Sequence, residues 1–469
     1  MNYQNLGFKA GLEIHQQLES HKLFCSCPSL VNDPNPTTLM LKRKLRAVEG
    51  ETKQIDLAAK YEKKKDKWVI YEAKKTSSCL VELDEDPPHN INEDALETAL
   101  QIALLLKAKV VDKIQFMRKT IIDGSMTSGF QRTALIATDG EIDTSKGKVK
   151  IQTIMLEEEA AKKIKETSNE VIYSLDRLGV PLIEVATDAN LKDPEHVKEA
   201  ASVIGMMLRS TERVKRGLGT IRQDVNVNIK THPRVEIKGF QDLRSMPKVI
   251  ENEIKRQIRD RKKTIAHVRK ANPDFSTEFL RPMPTSARLY PETDIRTIEV
   301  TPEVLKKIKI PELITEKAIK LEKGFKLPSQ LASEVIPKQK FFKFLVKKLP
   351  KTDPRFIAQV LVEYPKDIKA RYNLKVLDNE IEEILSYFHS GKIAKDAVLD
   401  ALVELSKNKR LNLSKYQVVP KEALEKEIKE IVQKFKHLSF NAIMGEVMKK
   451  FRGKIEGKEA ASLINKYKK

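Results

Sequence analysis

The stretch GLEIH, residues 11–15, alternates apolar and charged side chains close to the start of the chain. Leu12 and Ile14 alternate with Glu13 and His15, and successive side chains of a β-strand point to opposite faces of its sheet. The pattern therefore predicts a strand that buries Leu12 and Ile14. Its other face would carry a carboxylate and an imidazole side by side.

Several later segments repeat this alternation and carry acids. GVPLIEVAT (179–187), DVNVNI (224–229) and RVEIKGF (234–240) have strand-like patterns, and LEEEAAKKI (156–164) adds a run of glutamates. Their polar positions include Glu157, Glu158, Glu184, Asp224, Glu236 and Lys238. A single polar face can simply point to solvent, as antiparallel sheets allow. Several acid-bearing strands in one region favour a shared site.

Gathered carboxylates repel one another, and burial penalises each charge, so we expect a cation among them. Oxygen ligands with an occasional imidazole suit Mg²⁺ or Mn²⁺, and Mg²⁺ often completes its coordination with phosphate oxygens. Groups suited to phosphate are Arg118, Lys119 and the turn with Ser125 in MRKTIIDGSMTSGFQRT (117–133), and Arg222 in KRGLGTIRQD (215–224). Neither segment is a Walker P-loop. The Gly-Leu-Gly turn is equally consistent with an exposed hairpin tip.

The length and net charge of the chain indicate a basic, multidomain protein. At 469 residues, about three domains are expected. The 87 Lys and Arg exceed the 66 Asp and Glu, giving a formal charge of +21, which favours nucleic acid as a partner; thermophilic or salt adaptation is the alternative. The N-terminus lacks an apolar signal-peptide core, and no apolar run approaches a membrane span of ~18 residues, so we expect a soluble, cytoplasmic protein.

Patterning along the chain predicts an α+β protein of three parts. Residues 1–300 would form a large mixed-sheet cradle domain with catalytic groups, 301–408 a helical domain and 409–469 a small helical tail domain. Asn92 is expected to cap a helix, and Pro302 to open another. The three cysteines are too few for a disulfide framework. Without a second cysteine pair we expect reduced thiols rather than a zinc site.

These segments together resemble one family. GLEIHQQL, KLFCSCP, SSCLVELDEDPP, MRKTIIDGSMTSGFQRTALIA, LEEEAAKKI, LDRLGVPLIEVAT, KRGLGTIRQDVNVNI, RVEIKGFQDL and RPMPTSARLYPETDI are similar, in this order, to the GatB/GatE family and most to its archaeal E-type branch. The resemblance implies a tRNA-dependent amidotransferase subunit. Such a subunit phosphorylates the γ-carboxyl of Glu-tRNA(Gln) with ATP and Mg²⁺, then forms Gln-tRNA(Gln) with ammonia from an asparaginase-like glutaminase partner. A heterotetramer with two copies of each subunit is implied.

The resemblance also assigns roles to residues. The implied metal ligands are His15, Glu157, Glu184 and Asp224. The implied catalytic residues are Glu13, Glu158, Glu236 and Lys238. We infer ATP binding by Arg118, Lys119, Ser125 and Arg222, which lie in the matching motifs. The tail domain, 409–469, would bind the tRNA outside its acceptor stem.

One departure from the family pattern is visible. E-type subunits carry an insertion resembling part of aspartyl-tRNA synthetase before the RPMP segment, whereas RDRKKTIAHVRKANPDFSTEFLRPMP (259–284) passes directly onward here. We expect phosphate contacts of the basic chain to replace what the insertion contributes. Three alternatives remain open: a B-type subunit that also acts on Asp-tRNA(Asn), a tRNA-binding scaffold without catalysis, and a ligase acting on a protein or small-molecule carboxylate.

Overall fold

The computed structural model describes most of the chain. The described residues are 1–30, 32–45, 53, 55, 57–240, 242–260, 265–283, 289–416, 421–451, 455 and 457–468. The centre of the RPMPTSARLYPETDI segment, 284–288, and part of the junction at the expected insertion, 261–264, lie outside them. The chain divides into two compact units, Met1–Leu313 and Ile314–Lys469.

A sheet of eleven strands organises the first unit. The strands are β1 (Lys9–Gln17), β4 (Lys109–Val110), β6 (Phe116–Thr120), β7 (Phe130–Thr144), β8 (Gly147–Glu158), β11 (Pro181–Thr187), β12 (Ile221–Asn228), β13 (Val235–Phe240), β14 (His267–Ala271), β15 (Thr277–Pro282) and β16 (Leu289–Pro291). Their order is β15-β14-β13-β12-β1-β11-β8-β7-β6-β16, with β4 paired to β7. The predicted N-terminal strand therefore lies in the interior, antiparallel to β11 and β12.

The two faces of this sheet differ as the alternation predicted. Leu12, Ile14, Val225, Ile237 and Ile183 are fully buried and belong to one core cluster. Three helices contribute apolar residues to the same cluster: α2 (Glu93–Leu105), α3 (Pro194–Ser210) and α4 (Met246–Arg259). The polar side chains of β1, β12 and β11 alternate with these buried residues and so lie on the opposite face.

Two smaller sheets complete the unit. Strands β2 (Leu39–Arg43), β3 (Trp68–Ala73), β9 (Lys162–Glu166) and β10 (Glu170–Ser174) form a four-stranded sheet in the order β2-β3-β10-β9, with a core of its own around Tyr71 and Tyr173. Strands β5 (Lys113–Ile114) and β17 (Ile298–Glu299) form a pair. Helices α1 (Leu57–Lys63) and α5 (Pro302–Lys307) also belong here, and Pro302 opens α5 as predicted.

The second unit is helical, which confirms the α+β class. Its helices are α6 (Ile314–Phe325), α7 (Ser329–Val335), α8 (Gln339–Lys348), α9 (Pro354–Tyr372), α10 (Asp378–His389), α11 (Val398–Asn408), α12 (Leu413–Tyr416), α13 (Lys421–Lys434), α14 (Phe440–Phe451) and α15 (Gly457–Tyr467). Helices α13 to α15 share a separate apolar core that includes Ile428 and Val447. The three-domain division stays a prediction. None of the helices in the described part of the chain has the length and apolar character of a membrane span.

Asn92 caps α2, as predicted, and also ties the helix to the loop after β1. Its side-chain oxygen accepts from Ala95 N at 3.1 Å, and its amide donates to His21 O at 2.7 Å and to Ser20 Oγ at 3.1 Å. The residue is only 2 % exposed. Its loss therefore removes a cap and leaves the His21 carbonyl without this donor.

We expect Asn92→Ala to lower the free energy of unfolding by about 2–4 kcal/mol, because both the helix cap and the donated bonds are lost. Asn92→Ser keeps an oxygen that can cap but is too short to reach His21, so it should lose about half as much. Urea unfolding followed by circular dichroism measures both. A change below about 0.5 kcal/mol for Asn92→Ala would show that this cap is dispensable.

Candidate active site

A row of polar side chains crosses the open face of the large sheet. The backbone register brings the members of neighbouring strands side by side: His15 is opposite Glu184 on β11, Glu13 is opposite Asp224 on β12, and Asn226 is opposite Glu236 on β13. Glu157 on β8 is opposite Thr133 on β7. Residues far apart in sequence thus meet because six strands are aligned in register.

One end of the row joins an imidazole, two acids and a lysine. His15 Nε2 lies 3.1 Å from Glu184 Oε2. Lys119 forms an ion pair with Glu157, and its ammonium lies 4.0 Å from Glu184 Oε2. Thr133 Oγ1 donates to Glu157 Oε1 at 2.8 Å. One ligand atom from each of His15, Glu157 and Glu184 can be chosen so that all three lie within 4.8 Å of one another.

The other end gathers three acids around Lys238. The Lys238 ammonium donates to Asp224 Oδ2 at 2.6 Å and also pairs with Glu236. Glu13 Oε1 accepts a hydrogen bond of 2.8 Å from the Asn226 amide. Glu13, Asp224 and Glu236 again offer ligand atoms within 4.8 Å of one another. The structure therefore divides the predicted acids between two adjacent groups.

One carboxyl in each group has a shifted pKa, and the two shifts are opposite in direction. Burial raises the pKa of Glu13 to about 7, and the negative charges of Glu236 and Glu184 act in the same direction. Burial alone would also raise the pKa of Glu184, but its hydrogen bond with His15 and the charges of His15 and Lys119 hold that pKa well below its usual range. Glu184 is thus ionised at neutral pH, while Glu13 is close to half protonated.

Two basic groups of the row, His15 and Lys238, both have raised pKa values. Burial lowers the pKa of the His15 imidazole, but Glu184 outweighs it through a hydrogen bond and its charge, so the pKa is raised. Burial likewise lowers the pKa of Lys238, and the charges of Asp224 and Glu236 outweigh it and raise that pKa. Lys238 and a protonated His15 are therefore cations of this chain that offset the gathered acids.

Both groups fit a divalent metal ion by their chemistry. Mg²⁺ and Mn²⁺ take carboxylate oxygens, and Mn²⁺ also accepts imidazole nitrogen. Among the described residues, His15 Nδ1 is a buried nitrogen without a hydrogen-bond partner. In both groups acids already pair with a lysine, and His15, Glu157 and Glu184 are the better candidates because this group adds an imidazole nitrogen to its acids. The metal roles predicted for all four ligands, including Asp224, stay predictions.

Arg222 is held by an acid that the sequence analysis did not single out. Its guanidinium makes a two-pronged contact with Glu159, at 2.6 Å and 3.0 Å. Burial raises the pKa of Glu159, but the charges of Arg222 and Arg177 outweigh this and lower it, so Glu159 is ionised. Arg222 lies opposite His15 in the register, so this pair borders the metal candidates. Its predicted contact with ATP stays a prediction.

Three other predicted residues lie away from the row. Arg118 directly precedes Lys119, and Glu158 directly follows Glu157. Both side chains therefore point to the face opposite the row. Arg118 pairs with Glu292 and Asp294, the acids of the YPETD segment. Glu158 accepts from the backbone N of Arg132 at 3.1 Å, and Arg132 Nε lies 2.7 Å from Glu292 Oε2. Glu292, which sequence reasoning missed, thus joins β6 and β7 to a distant segment.

Ser125 lies in the turn that follows β6. Its hydroxyl donates to Asp123 Oδ1 at 2.6 Å, and its backbone N donates to the same oxygen at 2.9 Å. The hydroxyl is therefore engaged within its own turn rather than with the polar row. The roles predicted for Ser125, Arg118 and Glu158 stay predictions.

A separate group of possible metal ligands involves the cysteines. Cys25, Cys27, Cys79 and Glu82 offer ligand atoms within 4.8 Å of one another. A cysteine pattern alone could not reveal this group, because its fourth member is a carboxylate. Three sulfurs and an oxygen fit the tetrahedral coordination of zinc. Hydrogen bonding from Cys25 lowers the pKa of the Cys27 thiol to about 7, although burial opposes it. The expectation of reduced, metal-free thiols stays a prediction.

The raised pKa of Glu13 makes a stability prediction. The folded state holds a proton on Glu13 up to about pH 7, whereas the unfolded state loses it near 4.5. The contribution of Glu13 to folding stability is therefore fully present below pH 4.5 and declines as the pH rises through 7. We expect wild type to lose roughly 2–3 kcal/mol more than Glu13→Gln between pH 5 and pH 8.

Urea unfolding at several pH values, with a chelator present, measures this difference. Glutamine is the matched substitution because it keeps an acceptor for Asn226 and cannot ionise. Parallel pH profiles for the two proteins would show that Glu13 ionises normally in the fold.

Comparison with known proteins agrees with the resemblance that the sequence motifs carry. The family model of the GatB/GatE catalytic domain matches residues 8–306, and that of the GatB domain matches residues 340–467. The chain is 34 % identical to the E subunit of the glutamyl-tRNA(Gln) amidotransferase of Methanocaldococcus jannaschii, covering 99 % of both chains. It is 33 % identical to the corresponding proteins, of the same name, from Saccharolobus solfataricus and Archaeoglobus fulgidus, covering 99 % of this chain and 98 % of each relative.

The fold is that of an α+β protein, and the open face of its large sheet carries acids, an imidazole and ammonium groups close together. The family matches make the assignment specific. The chain belongs to the GatB/GatE family. The alignment with the M. jannaschii protein runs over 624 positions, against 469 residues here, so at least 155 positions hold no residue of this chain. This shortfall agrees with the missing insertion.

Proposed function

We propose that this chain is the subunit of a tRNA-dependent amidotransferase that converts Glu-tRNA(Gln) to Gln-tRNA(Gln). In this proposal it phosphorylates the γ-carboxyl of the glutamyl group with ATP and Mg²⁺. Ammonia, delivered by an asparaginase-like glutaminase subunit, then displaces the phosphate. The observation that carries the proposal is the His15, Glu157 and Glu184 group beside Lys119, on a chain similar over its whole length to subunits named for this reaction.

The chemistry explains why such a site is needed. A carboxylate is a poor electrophile, and its attack on the γ-phosphorus of ATP, with ADP leaving, creates an acyl phosphate whose phosphate departs easily. His15, Glu157 and Glu184 would hold a divalent ion, which would supply neutralisation of the phosphate charge. The ammonium of Lys119 lies next to Glu157 and Glu184, where it can stabilise the negative charge of the phosphate during transfer.

The second acid group suits the ammonia step. When ammonia attacks the acyl carbon, its nitrogen must lose a proton as the C–N bond forms and the C–O bond to phosphate breaks. Glu13, with a pKa raised to about 7, is poised to accept that proton near neutral pH. Lys238 fixes Asp224 and Glu236 by ion pairs beside it and keeps their charges compensated.

The test is ATP cleavage by the chain assembled with its glutaminase partner, with and without Glu-tRNA(Gln). We expect the charged tRNA to stimulate ADP formation. His15→Ala and Glu184→Gln should each reduce the stimulated rate by about 100-fold or more, because loss of a ligand or its partner weakens both metal binding and transition-state charge stabilisation. Mn²⁺ binding to the chain without ATP gives a second readout and should weaken in both variants.

Matched controls are His89→Ala, which removes a histidine outside the polar row, and Glu141→Gln, which removes an acid at the far hairpin of the same sheet. Both should keep wild-type rates. ADP formation that ignores the tRNA would favour a ligase for another carboxylate. Bound tRNA with no ADP formation in wild type would leave a tRNA-binding scaffold. Activity on Asp-tRNA(Asn) with an amidase-type partner would indicate a B-type role.

A further inference from the structure

The outer face of the four-stranded sheet carries an exposed indole that the proposed chemistry does not use. Trp68, at the start of β3, is the single tryptophan of the chain and is 41 % exposed. The ammonium groups of Lys42 and Lys44 lie 4.8 Å and 5.4 Å from the centroid of its ring. The two ammonium groups lie over the ring, so the indole and the positive charge are in one place, and a base that stacks on the ring displaces the ammonium groups to its side.

The strand register extends this surface across the sheet. Lys42 on β2 is opposite Ile70 on β3, Ile70 is opposite Ile172 on β10, and Ile172 is opposite Lys165 on β9. Side chains on this face alternate with the buried Val69 and Tyr71 on the other. Two half-buried isoleucines therefore lie between two lysines, with Trp68 two positions from Ile70 on the same face.

The charge around this face is strongly positive. Residues 39–44, 57–73 and 162–174, which include the four strands and α1, contain eleven Lys or Arg and five Asp or Glu. Some of these lysines form ion pairs, as Lys44 does with Asp66 at 2.9 Å. The contact described for Lys42 is with the Trp68 ring. A purely apolar protein partner gains nothing from these cations, whereas a polyanion with flat bases uses both the cations and the ring.

The other face of the four-stranded sheet borders a cavity that reaches the polar row. A cavity of about 810 Å³ is lined by Lys44, Lys67, Lys163, Arg281 and Tyr173, and also by Lys238. Lys44 therefore contacts the Trp68 ring and lines a cavity that reaches the second acid group of the site. Lys44 is thus the link between the outer face and this cavity, whose lining also includes the acids Glu62, Asp66, Asp123 and Glu166.

We propose that Trp68, with Lys42 and Lys44 at its ring, is a stacking platform for an unpaired base of the RNA substrate on the outer face of this sheet. The ring supplies a face for one base, and the lysines contact the flanking phosphates. This inference rests on the proposed function, since the RNA is the tRNA whose aminoacyl end reacts. It adds a binding surface that the acid groups do not provide.

The single tryptophan is also the reporter for a direct test. The full chain is titrated with an uncharged tRNA(Gln) transcript, and binding is followed both by Trp68 emission and by the anisotropy of a label on the RNA. We expect the emission to be quenched along the same binding curve as the anisotropy. Trp68→Phe should bind almost as well as wild type, and Trp68→Ala should bind about fivefold or more weakly, which is the range of one lost stacked base.

The lysines give an independent measurement. Lys42→Ala should weaken binding and lower the slope of log Kd against log salt by about one, because one phosphate contact is lost. Lys148→Ala is the matched control, since Lys148 is an exposed lysine of the same unit on the β7–β8 hairpin, where it pairs with Glu141. It should leave the slope unchanged.

The outcomes separate this inference from the proposed function. If wild type binds tRNA and cleaves ATP in response to it, while Trp68 emission is unchanged and Trp68→Ala binds normally, the platform is wrong and the function stands. If the emission responds to the purified glutaminase partner and not to tRNA, the face is a protein interface and the platform is wrong. If wild type does not bind tRNA at all, the proposed function fails first.

Discussion

Charge compensation on one sheet face is the constraint on which the site depends. Glu13, Asp224 and Glu236 are brought within a few ångströms of one another, as are Glu157 and Glu184, and such acids repel strongly when partly buried. Lys238, Lys119 and His15 offset them through direct ion pairs. The two lysines come from β13 and β6, which lie at opposite ends of the central strands, so the compensation requires the whole central sheet to be in place.

In the proposed reaction, the compensation would also prepare the site for ligands. A site with fixed acids and cations meets part of its electrostatic cost during folding, and a bound metal or phosphate then replaces contacts instead of creating them. Lys119 is the clearest case, because it contacts both Glu157 and Glu184, the acids most suited to a divalent ion. Glu13 differs from its neighbours because Asn226, a neutral donor, is its direct hydrogen-bond partner, and so burial can raise its pKa.

The two sheets divide the work of the first unit. The large sheet has helices on its apolar face, which leaves its polar face for chemistry, and the small sheet has its own core and a basic outer face. Lys44, Lys163 and Tyr173 from the region of the small sheet line the same cavity as Lys238 of the large one. Lys44 also contacts the Trp68 ring, so it links the outer face of the small sheet to this cavity.

The sequence by itself determined the local features: the alternation in GLEIH, the Asn92 cap, the change from strands to helices after Pro302, and the similarity that assigns the family. These depend on residue type and spacing, which act over a few positions. Only the tertiary structure decided that Lys119 and Glu157 belong to the row while Arg118 and Glu158 face away, that Glu292 and Glu159 hold the arginines, and that Glu82 joins the cysteines. The physical reason is that strand order and register place distant residues together, and a shift of one position would exchange the two faces.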